Sequence, residues 1–243
     1  MAKDNLREEQ TFLQQYDVSE YERPSVTVDI AVCTIMEEEL RVLLIKRGGP
    51  PDKGAWALPG GFLSVKSDRS LEAAARRELI EETHIEGVFF DQLKTYGAID
   101  RDPRTRVVTV VYYALVPFEK LRRQDIRADD DAAEVAWFPL RDLPKKLAFD
   151  HEEILADVLE RLIGKIEYYP LAFELLPKTF IWPELQNIYE VILDRKFDPS
   201  NFRKKINSLY TITELRKKKD VPIPGPKPSY LIYEGPKKMF QDI

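Results

Sequence analysis

The chain has 243 residues, 44% hydrophobic and 33% charged side chains, and a formal net charge of −5. That composition excludes a disordered or fibrous chain and supplies enough apolar material for one large or two small cores. No apolar run approaches the ~20 residues that a membrane-spanning helix needs, Met1 to Gln10 is too polar to read as a secretory signal, and the single cysteine can form no internal disulfide. A soluble, cytoplasmic protein is expected, with Cys33 as a small core residue. The charge is divided unevenly. Residues 165–243 hold 14 Lys/Arg against 10 Asp/Glu, a net of +4 that leaves −9 for residues 1–164. An acidic front and a basic back suggest two units with different partners.

In chain order, Val26 to Ile35 and Leu40 to Lys46 read as strands around the acidic turn Glu37-Glu38-Glu39. Trp56-Ala57-Leu58 leads into a glycine turn at Gly60-Gly61. A helix over 70–83 follows, with Ser70 as its cap and Leu71, Ala74, Ala75 and Leu79 at helical spacing. Val88 to Ile99 and Arg106 to Val116 form a second strand pair around Asp100-Arg101-Asp102-Pro103-Arg104. Glu134 to Phe138 is a further strand, and a helix from about Asp150 to Ile166 closes the front unit, with Asp150 as a natural cap for a helix-starting His151. Strands interleaved with two helices predict an α/β/α sandwich.

In the back unit, Leu185, Ile188, Tyr189 and Ile192 share one face of a helix over Pro183 to Leu193, with Pro183 tolerated in the first turn. A second helix runs from Pro199 to about Leu209, turning Phe202, Ile206 and Leu209 inward and Arg203, Lys204 and Asn207 outward. Thr211 to Leu215 and Ser229 to Tyr233 can pair as a ribbon around the basic loop Arg216 to Lys219. Helix, turn, basic helix and ribbon is the order of a winged helix, in which the second helix enters a major groove and the wing approaches phosphate. By pattern alone, a helical accessory domain with a solvated basic tail fits equally.

The densest chemistry lies in Arg77-Glu78-Leu79-Ile80-Glu81-Glu82. Residues three and four apart share a helical face, so Glu78 meets Glu81 and Glu82, and Arg77 meets Glu81. Crowded carboxylates raise one another's pKa unless a cation sits among them. Hard oxygen ligands suit Mg²⁺ or Mn²⁺, which in turn bind phosphate oxygens. A solvated mixed-charge face is the alternative for such a string, but here it follows a strand, a glycine turn and a loop.

This arrangement resembles the Nudix box, G-x5-E-x7-R-E-U-x-E-E-x-G-U, with U aliphatic. Residues 77–85 read R-E-L-I-E-E-T-H-I, with His84 where the family has glycine. Gly61 matches the opening glycine only with a loop two residues longer than usual. The loop glutamate position is filled by Arg69, with Asp68 beside it. The resemblance implies that Glu78, Glu81 and Glu82 hold Mg²⁺ or Mn²⁺, and that Glu78 also influences the attacking water. It further implies that Arg77 orients a glutamate, while water cleaves a nucleoside diphosphate linked to another group. Gly60, Gly61, Arg101 and Arg104 are expected to meet that substrate, although a charged hairpin tip also explains the arginines. Glu134 and Asp129-Asp130-Asp131 are candidates for a further carboxylate, with solvated acids as the alternative. Pro103 lies near where ADP-ribose-cleaving members carry a proline, or is an ordinary turn residue.

Residues Tyr21 to Asp29, the box, Ala148-Phe149-Asp150-His151 and a terminal winged helix together resemble the Nudix-related transcriptional regulators over nearly the whole chain. The division expected is an arm at 1–25, a Nudix domain at 26–165 and a winged-helix domain at 166–243. The resemblance implies a homodimer that binds an ADP-ribose-type nucleotide with metal and hydrolyses it, coupled to duplex DNA through Asn201, Arg203, Lys204, Lys217, Lys218 and Lys219. The alternative is a catalytically inactive, ligand-gated repressor.

Overall fold

A computed structural model describes residues 2–122, 132–215 and 229–237. The N-terminal arm carries a helix, α1 (Ala2–Gln15), which its polar composition does not announce. The front unit then runs β1 (Ser25–Met36), β2 (Glu39–Arg47), β3 (Trp56–Ala57), β4 (Gly60–Phe62), α2 (Leu71–Thr83), β5 (Phe89–Tyr96), β6 (Val107–Leu115), the short α3 (Phe118–Leu121), β7 (Ala132–Pro139) and α4 (His151–Ile166). These follow the expected elements, with α3 added and the expected glycine turn at Gly60-Gly61 drawn into a short strand, β4, beside β1.

The seven strands form one mixed sheet in the order β3-β2-β1-β6-β5, with β4 also alongside β1 and β7 alongside β2. Strand β1 runs parallel to β6 from Ser25↔Val107 to Cys33↔Leu115. Thr27 to Thr34 are all buried, as a central strand covered on both faces requires. Its side chains alternate between two cores. Val28, Ile30 and Val32 pack with Ala74, Ala75 and Leu79 of α2, whereas Ala31 and Cys33 join Ile154, Val158 and Leu162 of α4. The sheet lies between these two helical layers, giving the expected sandwich. Burial pushes the Cys33 thiol up to about 12, in keeping with an inert core residue.

Ser70 caps α2 by accepting from the Ala73 amide at 3.0 Å. The helix ends at His84, whose φ of 58° lies in the left-handed region while its amide donates to the Ile80 carbonyl. That conformation ordinarily favours glycine, which accounts for the residue the box calls for at this place. Histidine adopts it here and still closes the helix.

The back unit comprises α5 (Leu171–Glu174), α6 (Trp182–Leu193), α7 (Pro199–Leu209) and the ribbon β8 (Tyr210–Glu214) with β9 (Leu231–Pro236). Glu184 accepts from the Ile181 amide at 2.8 Å, and Asp198 caps α7 by accepting from Asn201 at 2.9 Å. Leu185, Ile188 and Ile192 of α6 and Phe202 and Ile206 of α7 belong to the same core as Leu155, Leu162 and Ile166 of α4. Arg141 also donates from Nη2 to the Ile192 carbonyl at 3.0 Å. The units are therefore joined by packing, not only by the chain. Truncating a buried leucine such as Leu162 to alanine should cost about 2–5 kcal/mol. No helix among the described residues is long and apolar enough to cross a membrane.

Candidate functional site

A cleft of about 510 Å³ opens beside β1, α2 and the start of α4. Its acidic wall comes from α2. Glu78 and Glu82, four residues apart, both line it. Glu82 accepts from the Gly60 amide at 2.7 Å, so the glycine turn and the acidic helix are tied directly. A Cβ at Gly61 would overlap the Glu78 carboxylate, so only glycine lets the turn approach this closely. Burial pushes the carboxyls of both glutamates up, that of Glu82 to about 8. The Arg77 guanidinium works against the rise at Glu78, and the Gly60 amide against that at Glu82.

Glu81 stands elsewhere. It is exposed, accepts from Arg77 Nη1 at 2.9 Å and does not line the cleft. Arg77 also donates to Glu78 at 2.8 Å and makes two bonds to Asp68, at 3.0 and 2.8 Å. The loop carboxylate lacking at position 69 is thus supplied one residue earlier. Arg69 itself is exposed and does not line the cleft.

The cleft floor holds groups that the motif does not include. Asp29 points from β1, accepts from the Thr109 hydroxyl at 2.6 Å, and lies 3.7 Å from both Arg101 Nη2 and His151 Nε2. An aspartate inside the apolar Val26–Ile35 run was the available signal, since buried carboxylates are rare without partners. His151 is buried and accepts at Nδ1 from the Leu58 amide at 2.9 Å; burial holds its pKa down, in the neutral form. Its contacts reach well beyond helix initiation. Asp150 makes no side-chain cap, contrary to expectation, because its two oxygens accept from Arg101 Nε and Nη2 at 2.9 and 2.8 Å. A guanidinium 49 residues away outcompetes the local amide.

Arg101 and Arg104, which the resemblance names as substrate contacts, both line the cleft. They differ in burial: the Arg101 side chain is only 4% exposed, whereas that of Arg104 is 44% exposed and pairs with Asp102 at 2.7 Å. Arg101 is therefore not part of a solvated hairpin tip. Pro103 is exposed between them and outside the lining. Glu134 pairs with Lys46 at 3.1 Å, away from the cleft, and Asp129 to Asp131 lie outside the described residues.

Glu78 and Glu82 suit a divalent cation: both are oxygen ligands whose ionised form burial disfavours, and a cation would remove that penalty. Among the described residues, no three Asp, Glu, His or Cys side chains already converge as a ready ligand cluster. Glu81 remains turned to Arg77.

In the back unit, Asn201, Arg203 and Lys204 are exposed along α7, and Arg203 lies over the Trp182 ring at 5.6 Å. Pro199, Ser200, Arg203, Lys204, Asn207 and Ser208 border a shallow surface there. Lys217, Lys218 and Lys219 lie outside the described residues.

Both units resemble known proteins. The NUDIX domain model matches residues 26–158, and the NrtR DNA-binding winged helix domain model matches residues 172–231. The ADPR responsive transcriptional repressor NtrR of Acinetobacter baylyi is 38% identical over 93% of this chain and 88% of its own length. The ADP-ribose pyrophosphatase of Methanocaldococcus jannaschii is 42% identical over 57% of this chain and 75% of its own. The crystal structure of Shewanella oneidensis NrtR complexed with a 27mer DNA matches with a TM-score of 0.71 at 34% identity, over 86% of this chain and 92% of that one.

Proposed function

Because this chain belongs to the Nudix family and carries an NrtR DNA-binding winged helix domain, we propose that it is a nucleotide-responsive regulator of transcription. In this reading the cleft binds an ADP-ribose-type nucleotide with a divalent cation, and α7 binds duplex DNA. The observation that carries it is the placing of Glu78 and Glu82 under the Gly60-Gly61 turn, in one cleft with Arg101 and Arg104, in a chain that also bears a basic helix–turn–helix. The ADPR-responsive repressor that this chain resembles along most of its length points to the same ligand and outcome.

We also propose that the cleft hydrolyses the diphosphate. Glu78 and Glu82 would hold Mg²⁺ or Mn²⁺, and the cation would supply neutralisation of the diphosphate and acidification of bound water. Glu78, among the carboxylates that would hold the cation, would also influence the attacking water. Arg77 fixes the Glu78 carboxylate, and Arg104, the more exposed of the two cleft arginines, would meet phosphate while paired with Asp102. Asn201, Arg203 and Lys204 would contact DNA, joined by Lys217, Lys218 and Lys219. A homodimer would match a two-fold operator.

The test is ADP-ribose turnover with Mg²⁺, beside Glu78→Gln. Turnover lost in the variant supports the enzyme. Mg²⁺-dependent binding without turnover leaves the ligand-gated repressor as the reading, and the absence of both removes the cleft from either.

A further inference from the structure

Two neighbouring cations on α7, Arg203 and Lys204, are held in different ways. Phe202 and Ile206 turn into the core. Helical spacing puts Ser200, Arg203, Lys204 and Asn207 on the opposite side, and all four border the shallow surface described above. A row of this kind, three and four residues apart, is the part of a helix that can face the floor of a major groove.

Arg203 is exposed and makes no described ion pair, yet it is not loose. Its guanidinium carbon lies 5.6 Å from the centroid of the Trp182 ring. Trp182 is the first residue of α6, and its place is fixed on both sides. The Ile181 amide donates to Glu184 at 2.8 Å, and Phe180 exchanges backbone bonds with Leu231 of β9 at 3.1 and 2.8 Å. The indole also packs in part against the core that α6 and α7 share. Tryptophan is the best of the ring partners for a cation, and a guanidinium stacked on a ring keeps its edge donors open. The ring therefore restrains a long side chain while leaving its N–H fork without another described partner. Lys204, the next residue, has no described ring beside it.

A restrained pair of parallel donors matches the O6 and N7 acceptors that guanine shows in the major groove. Phosphate makes no such demand and is met equally well by the point charge of a flexible lysine. We propose that Arg203 is the guanine-reading residue of α7, and that Trp182 is the residue that positions it. This rests on the reading that α7 binds duplex DNA, and it divides the labour on that helix: Arg203 selects sequence, whereas Lys204 supplies charge.

The experiment starts from a pool of randomised short duplexes, from which the full-length wild type selects a preferred sequence. Fluorescence anisotropy then compares that duplex with copies in which each guanine is replaced in turn. One replacement should cost the wild type about 10- to 100-fold in affinity and cost Arg203→Lys, which keeps the charge but loses the fork, almost nothing further. Trp182→Leu should blunt the preference for that same guanine, and Trp182→Tyr, which keeps a ring, should restore most of it. A ring that serves the fold alone would weaken every base preference alike or none, and either result would overturn Trp182 as the positioning residue. If Arg203→Lys still feels the loss of every guanine as the wild type does, the guanine contact is overturned. Wild type that binds the pool without selecting a sequence would overturn this proposal and leave DNA binding standing. Failure to bind any duplex would overturn the DNA reading itself.

Discussion

Asp68 and Arg77 face each other through two parallel bonds, Nε to Oδ1 at 3.0 Å and Nη2 to Oδ2 at 2.8 Å. The guanidinium held in this way still reaches Glu78 at 2.8 Å and Glu81 at 2.9 Å. It holds Asp68 below the usual carboxylate range, and the contact with Asp68 is the main influence holding Arg77 protonated. Asp68 thus positions the residue that positions Glu78. Removing such an outer partner typically costs about 10–100-fold in metal affinity or activity. Asp68→Ala should weaken Mg²⁺ dependence by that order, read as a rise in the half-saturating Mg²⁺ concentration. Arg69→Ala, one residue along and outside the cleft lining, should leave it unchanged.

Glu82 provides a pH test. Its carboxyl lies at about 8 in the folded chain against an ordinary 4.5, so between those values the folded state binds a proton that the unfolded state has released. The unfolded chain is then the less protonated one, and stability falls as pH rises through this window. Metal-free protein should lose on the order of a few degrees of Tm between pH 6 and pH 9, and Glu82→Gln should flatten that slope. Added Mg²⁺ should raise Tm more at pH 8.5 than at pH 6, because it needs the ionised form. A Tm that climbs with pH in the wild type would contradict the burial of this carboxyl.

Breaking the Arg101–Asp150 pair should be costly. The Arg101 side chain is 4% exposed and that of Asp150 15%, so removing Asp150 leaves a buried guanidinium that keeps only the longer 3.7 Å contact with Asp29 among its described ion pairs. Asp150→Ala should destabilise the chain by about 3–5 kcal/mol in urea unfolding. A cost below about 1 kcal/mol would mean that water replaces the pair.

Much of this was legible beforehand, and the misses share a cause. Helical spacing located α2, α6 and α7 because each joins an apolar face to a clear start: the Ser70 cap, Pro183 in the first turn, and Pro199 as the first helical residue. Apolar runs bounded by turns located β1 and β6, because both strands are buried along almost their whole length. What escaped depends on contacts distant in sequence. Asp150 abandons its cap for Arg101, His151 turns to Leu58, and Asp29 meets Thr109 across the sheet. Counting along the loop put Arg69 at the acid position, whereas the folded loop brings Asp68 to Arg77. The helices α3 and α5 span four residues each, too few to show a period.

Lys204 tests the nucleic-acid face. It is exposed on α7 and makes no described ion pair, as a phosphate-contacting lysine requires. Lys204→Ala should weaken binding to duplexes of any sequence alike, and reduce the slope of log K against log salt by about 1. Fluorescence anisotropy over a salt series gives both quantities. An unchanged slope would move the DNA contact off this part of α7.

The shared core predicts that nucleotide binding is felt in the winged helix. Helix α4 starts in the cleft with His151 and ends at Ile166, in one core with Leu185, Ile188 and Ile192 of α6. If the two units open only together, the slowest amides of α6 exchange through global unfolding, and any ligand of the cleft must slow them. At a ligand concentration of about 100 Kd the stabilisation is about 2.7 kcal/mol, which corresponds to an exchange rate about 100-fold lower. Hydrogen exchange with and without ADP-ribose and Mg²⁺ should therefore show equal added protection in β1 and in α6, and calorimetry a single transition. Protection confined to β1 would mean that the winged helix opens on its own, and that the packing of α4 on α6 is too weak to carry the signal from nucleotide to DNA.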